Sequence, residues 1–87
     1  MPIIELFGQP RLLAGVRTES VPGGTARQAL MALAARHPQL AGAVLAVDGR
    51  LTPAYVLNLN GTRFLADLDE PVQDSDELLL ISSLSGG

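Results

Sequence analysis

The residues best placed to do chemistry are the last two. The chain ends Leu84-Ser85-Gly86-Gly87, and glycine, lacking a Cβ, lets a tail thread extended through a slot too narrow for other residues. A carboxylate at neutral pH is a poor acceptor for a nucleophile, because its charge is delocalised and oxide cannot leave. Activation is therefore required. Attack by the Gly87 carboxylate on the α-phosphate of ATP expels pyrophosphate and gives an acyl adenylate, and departure of AMP lets a sulfur donor form a thiocarboxylate or an amine form an amide. Gly87 is the expected site of that activation, with Gly86 and Ser85 threading behind it, and either product, thiocarboxylate or amide, is open at this point. Every catalytic group for this sequence would belong to partner enzymes, and ATP would be used by the activating one, so no bound cofactor is expected. A flexible end or chance is the bland alternative, since ~7% glycine usage puts two at a terminus in roughly 0.5% of chains. The rest of the chain decides between them.

No catalytic constellation appears among the other side chains, and no metal site is expected. His37, the only histidine, precedes Pro38 and reads as a surface charge at a helix C-terminus, not as a base or ligand. The acids Asp67 to Glu77 lack the ligand spacing of a calcium loop and read as solvated turns or a docking face. Gly23-Gly24 lacks the lysine and hydroxyl of a phosphate-binding loop and reads as a turn before a helix cap. Phe7 ends an apolar run and belongs either to the core or to an exposed patch.

What is absent bears on the tail. The 87 residues contain no cysteine, and all six basic residues are arginine: Arg11, Arg17, Arg27, Arg36, Arg50 and Arg63. Codon bias explains missing lysine equally well, but a chain whose own terminus becomes an activated acyl group gains from lacking internal amines and thiols that would attack it. Residues 1–50 carry five of the arginines against Glu5, Glu19 and Asp48, whereas residues 51–87 carry only Arg63 against six acids. An acidic second half with just Phe7, Phe64 and Tyr55 as aromatics argues against nucleic acid. The opening residues lack a basic leader, and the longest uncharged apolar run, Leu40 to Val47, is too short to span a bilayer. A single domain over 1–87, with a tail over 82–87, is expected in the cytoplasm.

A tail of this kind needs a scaffold that delivers it. Ile3 to Phe7 predicts a strand stopped by a turn at Gly8-Gln9-Pro10, and Arg17 to Val21 a second, antiparallel to it across a loop over Arg11 to Gly15. Thr25-Ala26-Arg27-Gln28 has the form of a capping box, and the stripe Ala26, Ala29, Leu30, Leu33, Ala34 predicts a helix to His37. Pro38 to Ala46 could hold a short helical turn, and Asp48-Gly49-Arg50 is a turn signal. Tyr55 to Leu59 meets Asn60-Gly61, a hairpin signal, before Thr62-Arg63-Phe64. The unbroken run from Glu77 to Ser82 predicts a central strand covered on at least part of both faces. This order is that of an α+β, β-grasp fold: a mixed sheet on one main helix, with the last strand parallel to the first and running into the tail.

With these residues in view, the chain resembles the MoaD and ThiS group of ubiquitin-like sulfur carriers over essentially its whole length. The likeness rests on Leu6-Phe7-Gly8 with Arg11-Leu12, Leu33 to Pro38 closing the helix, Leu59-Asn60-Gly61, Pro71-Val72 with Asp76-Glu77, and Gly86-Gly87. It implies a carrier and not an enzyme, adenylated at Gly87 by a ubiquitin-activating-type adenylyltransferase, loaded by a sulfur donor enzyme, and discharged by a sulfur-accepting synthase such as the large subunit of molybdopterin synthase. It further implies that Phe7, Ile81 and Leu84 form the docking patch. One departure bears on the pathway: molybdopterin-type carriers usually have a proline just before the small residue and diglycine, where this chain has Ser82-Ser83-Leu84-Ser85. Carriers for cysteine, thiazole or thio-metabolite synthesis stay open, as do a protein modifier conjugated through Gly87 and an interaction module with an incidental tail.

Overall fold

The structure is a computed structural model and describes residues 1–83. Along the chain come β1 (Ile3–Leu6), α1 (Gln9–Ala14), β2 (Thr18–Ser20), α2 (Ala26–Arg36), a 3-10 turn (Pro38–Leu40), β3 (Tyr55–Leu59), β4 (Arg63–Phe64) and β5 (Glu77–Ser82). The five strands form one sheet in the order β2-β1-β5-β3-β4. β5 pairs in parallel with β1, from Ile3–Glu77 to Leu6–Leu80. It pairs antiparallel with β3, from Tyr55–Ser82 to Leu59–Leu78. The expected β-grasp is present, and its last strand is central.

Alternation along the strands splits the sheet into two unlike faces. Ile4, Leu6, Leu57, Leu78 and Leu80 point at α2 and are buried, joining Ala26, Ala29, Leu30 and Leu33 of the helix stripe. Fully burying one such leucine contributes about 1.5–3 kcal/mol. The opposite face is only partly covered: Leu79 and Ile81 are half-buried and Ile3 is exposed. The apolar run of β5 thus marks its central place, with one face sealed and the other half open.

The helix cap forms with one difference. Thr25 Oγ1 accepts from the Gln28 amide at 3.1 Å, whereas the Gln28 side chain reaches past Thr25 and accepts from the Gly24 N–H at 2.8 Å. The two preceding helical amides bond to distant carbonyls, Ala26 N to Glu70 O at 3.3 Å and Arg27 N to Leu68 O at 2.7 Å. The loop holding Leu68 and Glu70, far downstream in sequence, thereby caps α2, as the first four amides of any helix require some partner. With these amides occupied, Gly23-Gly24 is a turn and not an anion cradle.

The segment after β1 corrects the expected loop. Gln9–Ala14 is helical, with Pro10 in the first turn, where its missing N–H costs nothing, and Gly15 closing it at φ 77°. At Asn60-Gly61 both residues take positive φ, 57° and 73°, as the tight hairpin requires.

Candidate functional site

The site is assembled where β5 ends, because that strand delivers the chain to the diglycine. The expected tail over 82–87 starts later in the structure. Ser82 is the last residue of β5, paired with Tyr55. Ser83 continues the attachment: its N–H donates to Ala54 O and its Oγ to Pro53 O, both at 2.7 Å. Tail threading by Gly86 and Ser85, adenylation at Gly87 and docking by Leu84 all fall on residues 84–87, outside the described residues. Four residues span at most about 14 Å when fully extended. The pinned Ser83 sets the origin of that reach.

Around this root lies the open face of the sheet. Ile81 sits on it, half-buried and opposite Val56. One step beyond the last pair of β1 and β5, Leu6–Leu80, the register falls on Phe7 and Ile81. Phe7 is 40% exposed, so of its two expected homes the structure gives it the partly exposed one. Phe64, paired through Asn58 at the far edge, is 61% exposed. Val56, Phe64, Ile81, Ser82 and Ser83 line a hollow of about 240 Å³ at the point where the chain leaves the sheet. Asn58 is buried within this face, its Oδ1 without a partner among the described residues. Phe64 and Val56 escaped the sequence reading, because only the β3–β5 register reveals that they share a face with Ile81.

Most remaining charges are structural. Glu19 on β2 receives Arg36 at 2.9 Å and lies 2.8 Å from His37 Nε2, which ties the end of α2 to the sheet edge. The bonds from His37 and then Arg36 hold the Glu19 carboxyl below the usual glutamate range. His37 is therefore a part-buried clasp, not the free surface charge expected. Asp69 pairs with Arg27 at 2.8 Å and Glu70 with Arg63. The guanidiniums lower both carboxyls. Asp76 bonds Asn60 Nδ2 and the Gln73 amide, while Asn60 Oδ1 accepts from Glu77 N at 2.7 Å, so the hairpin clips the start of β5. Much of the acidic stretch is thus internally paired, where the sequence suggested solvated turns or a docking face. No group of three or more His, Asp or Glu among the described residues is placed to hold a metal, and no described helix is long and apolar enough to cross a membrane.

A five-stranded mixed sheet gripping one main helix, with its central strand ending at Ser82 beside an apolar face in a sequence that closes on Gly86-Gly87, defines a ubiquitin-like β-grasp protein of the carrier and modifier class. The chain belongs to the ThiS family, whose sequence model matches residues 4–87. Among solved structures it is similar to SAMP1 from Haloferax volcanii, at 36% identity over 99% of this chain and 98% of that one, with a TM-score of 0.80. The fold is shared with CysO in the Amycolatopsis orientalis BexX/CysO complex, at 19% identity, full coverage of both chains and a TM-score of 0.81. It is shared too with a putative molybdopterin converting factor, subunit 1, from Pyrococcus furiosus, at 24% identity over 93% and 94% and a TM-score of 0.68. No curated protein matches the chain.

Proposed function

We propose that this chain is a sulfur carrier whose Gly87 carboxylate is adenylated by a ubiquitin-activating-type enzyme and converted to a thiocarboxylate. The observation that carries this reading is the ThiS family match, which extends through Gly86-Gly87. The chemistry is divided cleanly. ATP and the sulfur donor enzyme act on the tail, while this chain positions it: Ser83 fixes the tail's origin, and Phe7 and Ile81 offer an apolar patch for the enzyme that grips it, to which the resemblance would add Leu84. Exposed aromatic side chains beside a threading tail suit docking, because burying them gives affinity without any charge to desolvate. Absence of lysine and cysteine leaves no internal thiol or ε-amine to intercept the adenylate. The favoured recipient is a synthase of the molybdopterin type, with cysteine and thiazole carriers as the options opened by Ser82 to Ser85 in place of a proline-containing segment.

The test is chemical. Incubated with the cognate activating enzyme, ATP and sulfide, the intact mass rises by about 16 Da as one oxygen is replaced by sulfur. No shift with several activating enzymes would sink the reading. A second reading, conjugation through Gly87 to target lysines, is favoured by the 36% identity to a protein named as a modifier. Tagged protein expressed in its native cell and blotted for heavier adducts that vanish on deleting Gly87 decides that question.

A further inference from the structure

Four of the six arginines are spent inside the molecule, on Asp69, Glu19, Asp48 and Glu70. The guanidiniums of Arg11 and Arg17 are not: neither makes a hydrogen bond or ion pair among the described residues, and both residues are exposed. They share one hollow of about 240 Å³, lined by Arg11, Leu12, Gly15, Val16 and Arg17, between α1 and the start of β2. The two free cations of a net acidic chain are thus side by side.

Their position adds meaning. The Arg17 carbonyl accepts from the Leu6 amide at 2.8 Å, and Leu6 is in register with Leu80 of β5. β5 runs parallel to β1, so the Arg17 backbone lies at the end of the sheet from which the tail departs. At roughly 4.8 Å per strand, it is about 10 Å sideways from β5. A protein that grips the tail and the apolar patch near Phe7 and Ile81 meets this hollow at the edge of the same footprint.

We propose that Arg11 and Arg17 form a clamp for carboxylate side chains on the enzyme that activates the tail; this rests on the carrier reading above. A guanidinium fork matches a carboxylate in two-point geometry, and as neither arginine has an internal partner, neither must break a bond to bind. The hollow is not purely ionic. Leu12 is 76% exposed beside it, and such mixing of arginine with an apolar neighbour suits a protein surface more than a phosphate backbone. The chain's net charge of −3 also repels a polyanion such as nucleic acid. Opposite charge at the rim of an interface acts chiefly on association and its salt dependence. The clamp therefore speeds capture of the carrier and sets its register, leaving the chemistry at Gly87 untouched.

The experiment measures adenylation of the full chain by its activating enzyme, as pyrophosphate–ATP exchange, at low and high salt, after circular dichroism shows each variant folded. The double variant R11E/R17E raises KM for the carrier about tenfold with kcat unchanged and flattens the salt dependence, whereas R50E, which reverses an exposed but internally paired arginine, stays within about twofold. An unchanged KM in the double variant, or an equal rise in R50E, overturns the clamp while leaving the carrier reading intact. Failure of the wild-type chain to be adenylated overturns both. Arginine-dependent binding of sodium triphosphate without the enzyme would reassign the pair to a polyphosphate and overturn the proposal as well.

Discussion

At the scale of single residues, the fold turns on a few positions whose neighbours leave no choice. Gly23 is one: a Cβ built there would stand 2.6 Å from the Ala29 amide nitrogen, because the turn crosses directly over the first turn of α2. The backbone of a capped helix cannot retreat, so Gly23→Ala destabilises by about 1–3 kcal/mol, as overpacking does, and urea unfolding reads it. Glu19 is another. Its carboxyl is held low by His37 and Arg36, so the folded state favours the ionised form. Its stabilising contribution is in place above the ordinary glutamate pKa and drains away as pH falls through the lower folded value. Glu19→Gln loses about 1 kcal/mol at neutral pH, and its stability falls less steeply on acidification than that of the wild type. An identical acid limb in both proteins would show that the clasp contributes nothing. Nothing in the local sequence announces this clasp, since Glu19 is 18 residues from His37.

At the scale of elements, short-range signals specify local structure wherever they are dense. The helix cap, the helix stripe and the Asn60-Gly61 hairpin are each written within a few residues, and each forms, the cap with its glutamine shifted one residue back to Gly24. α1 was missed although Pro10 and Gly15 bracket it, because six residues are too few to show a helical period. The clip at Asn60 joins the hairpin to the root of β5 and supplies a separable test. Asn60→Gly keeps the positive φ but loses the bonds to Asp76 and Glu77, whereas Asn60→Ala loses the bonds and adds strain. Thermal unfolding should rank them wild type, then glycine, then alanine, with the alanine variant about 2 kcal/mol down. A further test lies at the other end of β5. Ser83→Pro removes the amide that donates to Ala54, which frees the tail one residue earlier and raises KM for activation several-fold while the core stays intact. Equal kinetics would show that the tail's origin is not fixed at Ser83.

At the scale of the whole molecule, two faces of one sheet do different work. The face against α2 holds the protein together, and the face bearing Phe7, Ile81 and Phe64 is left partly bare at the end where the tail departs. Phe64→Ser removes an aromatic ring that is 61% exposed, so it costs little stability, within about 0.5 kcal/mol. It weakens capture by the activating enzyme roughly tenfold if this face is the one that docks, as truncation of an aromatic anchor does. The sequence by itself determined the order of the strands and of the main helix, the parallel central strand, and the lack of cysteine and lysine, since these depend on residue identity and near neighbours. Tertiary structure alone decided which arginines are spent and which are free, that a remote loop caps α2, that Ser83 anchors the tail, and that Val56 and Phe64 join Ile81 on one face. The reason is physical: those facts depend on strand register and on pairings between residues far apart in the chain, which only closure of the sheet over its helix brings within bonding distance.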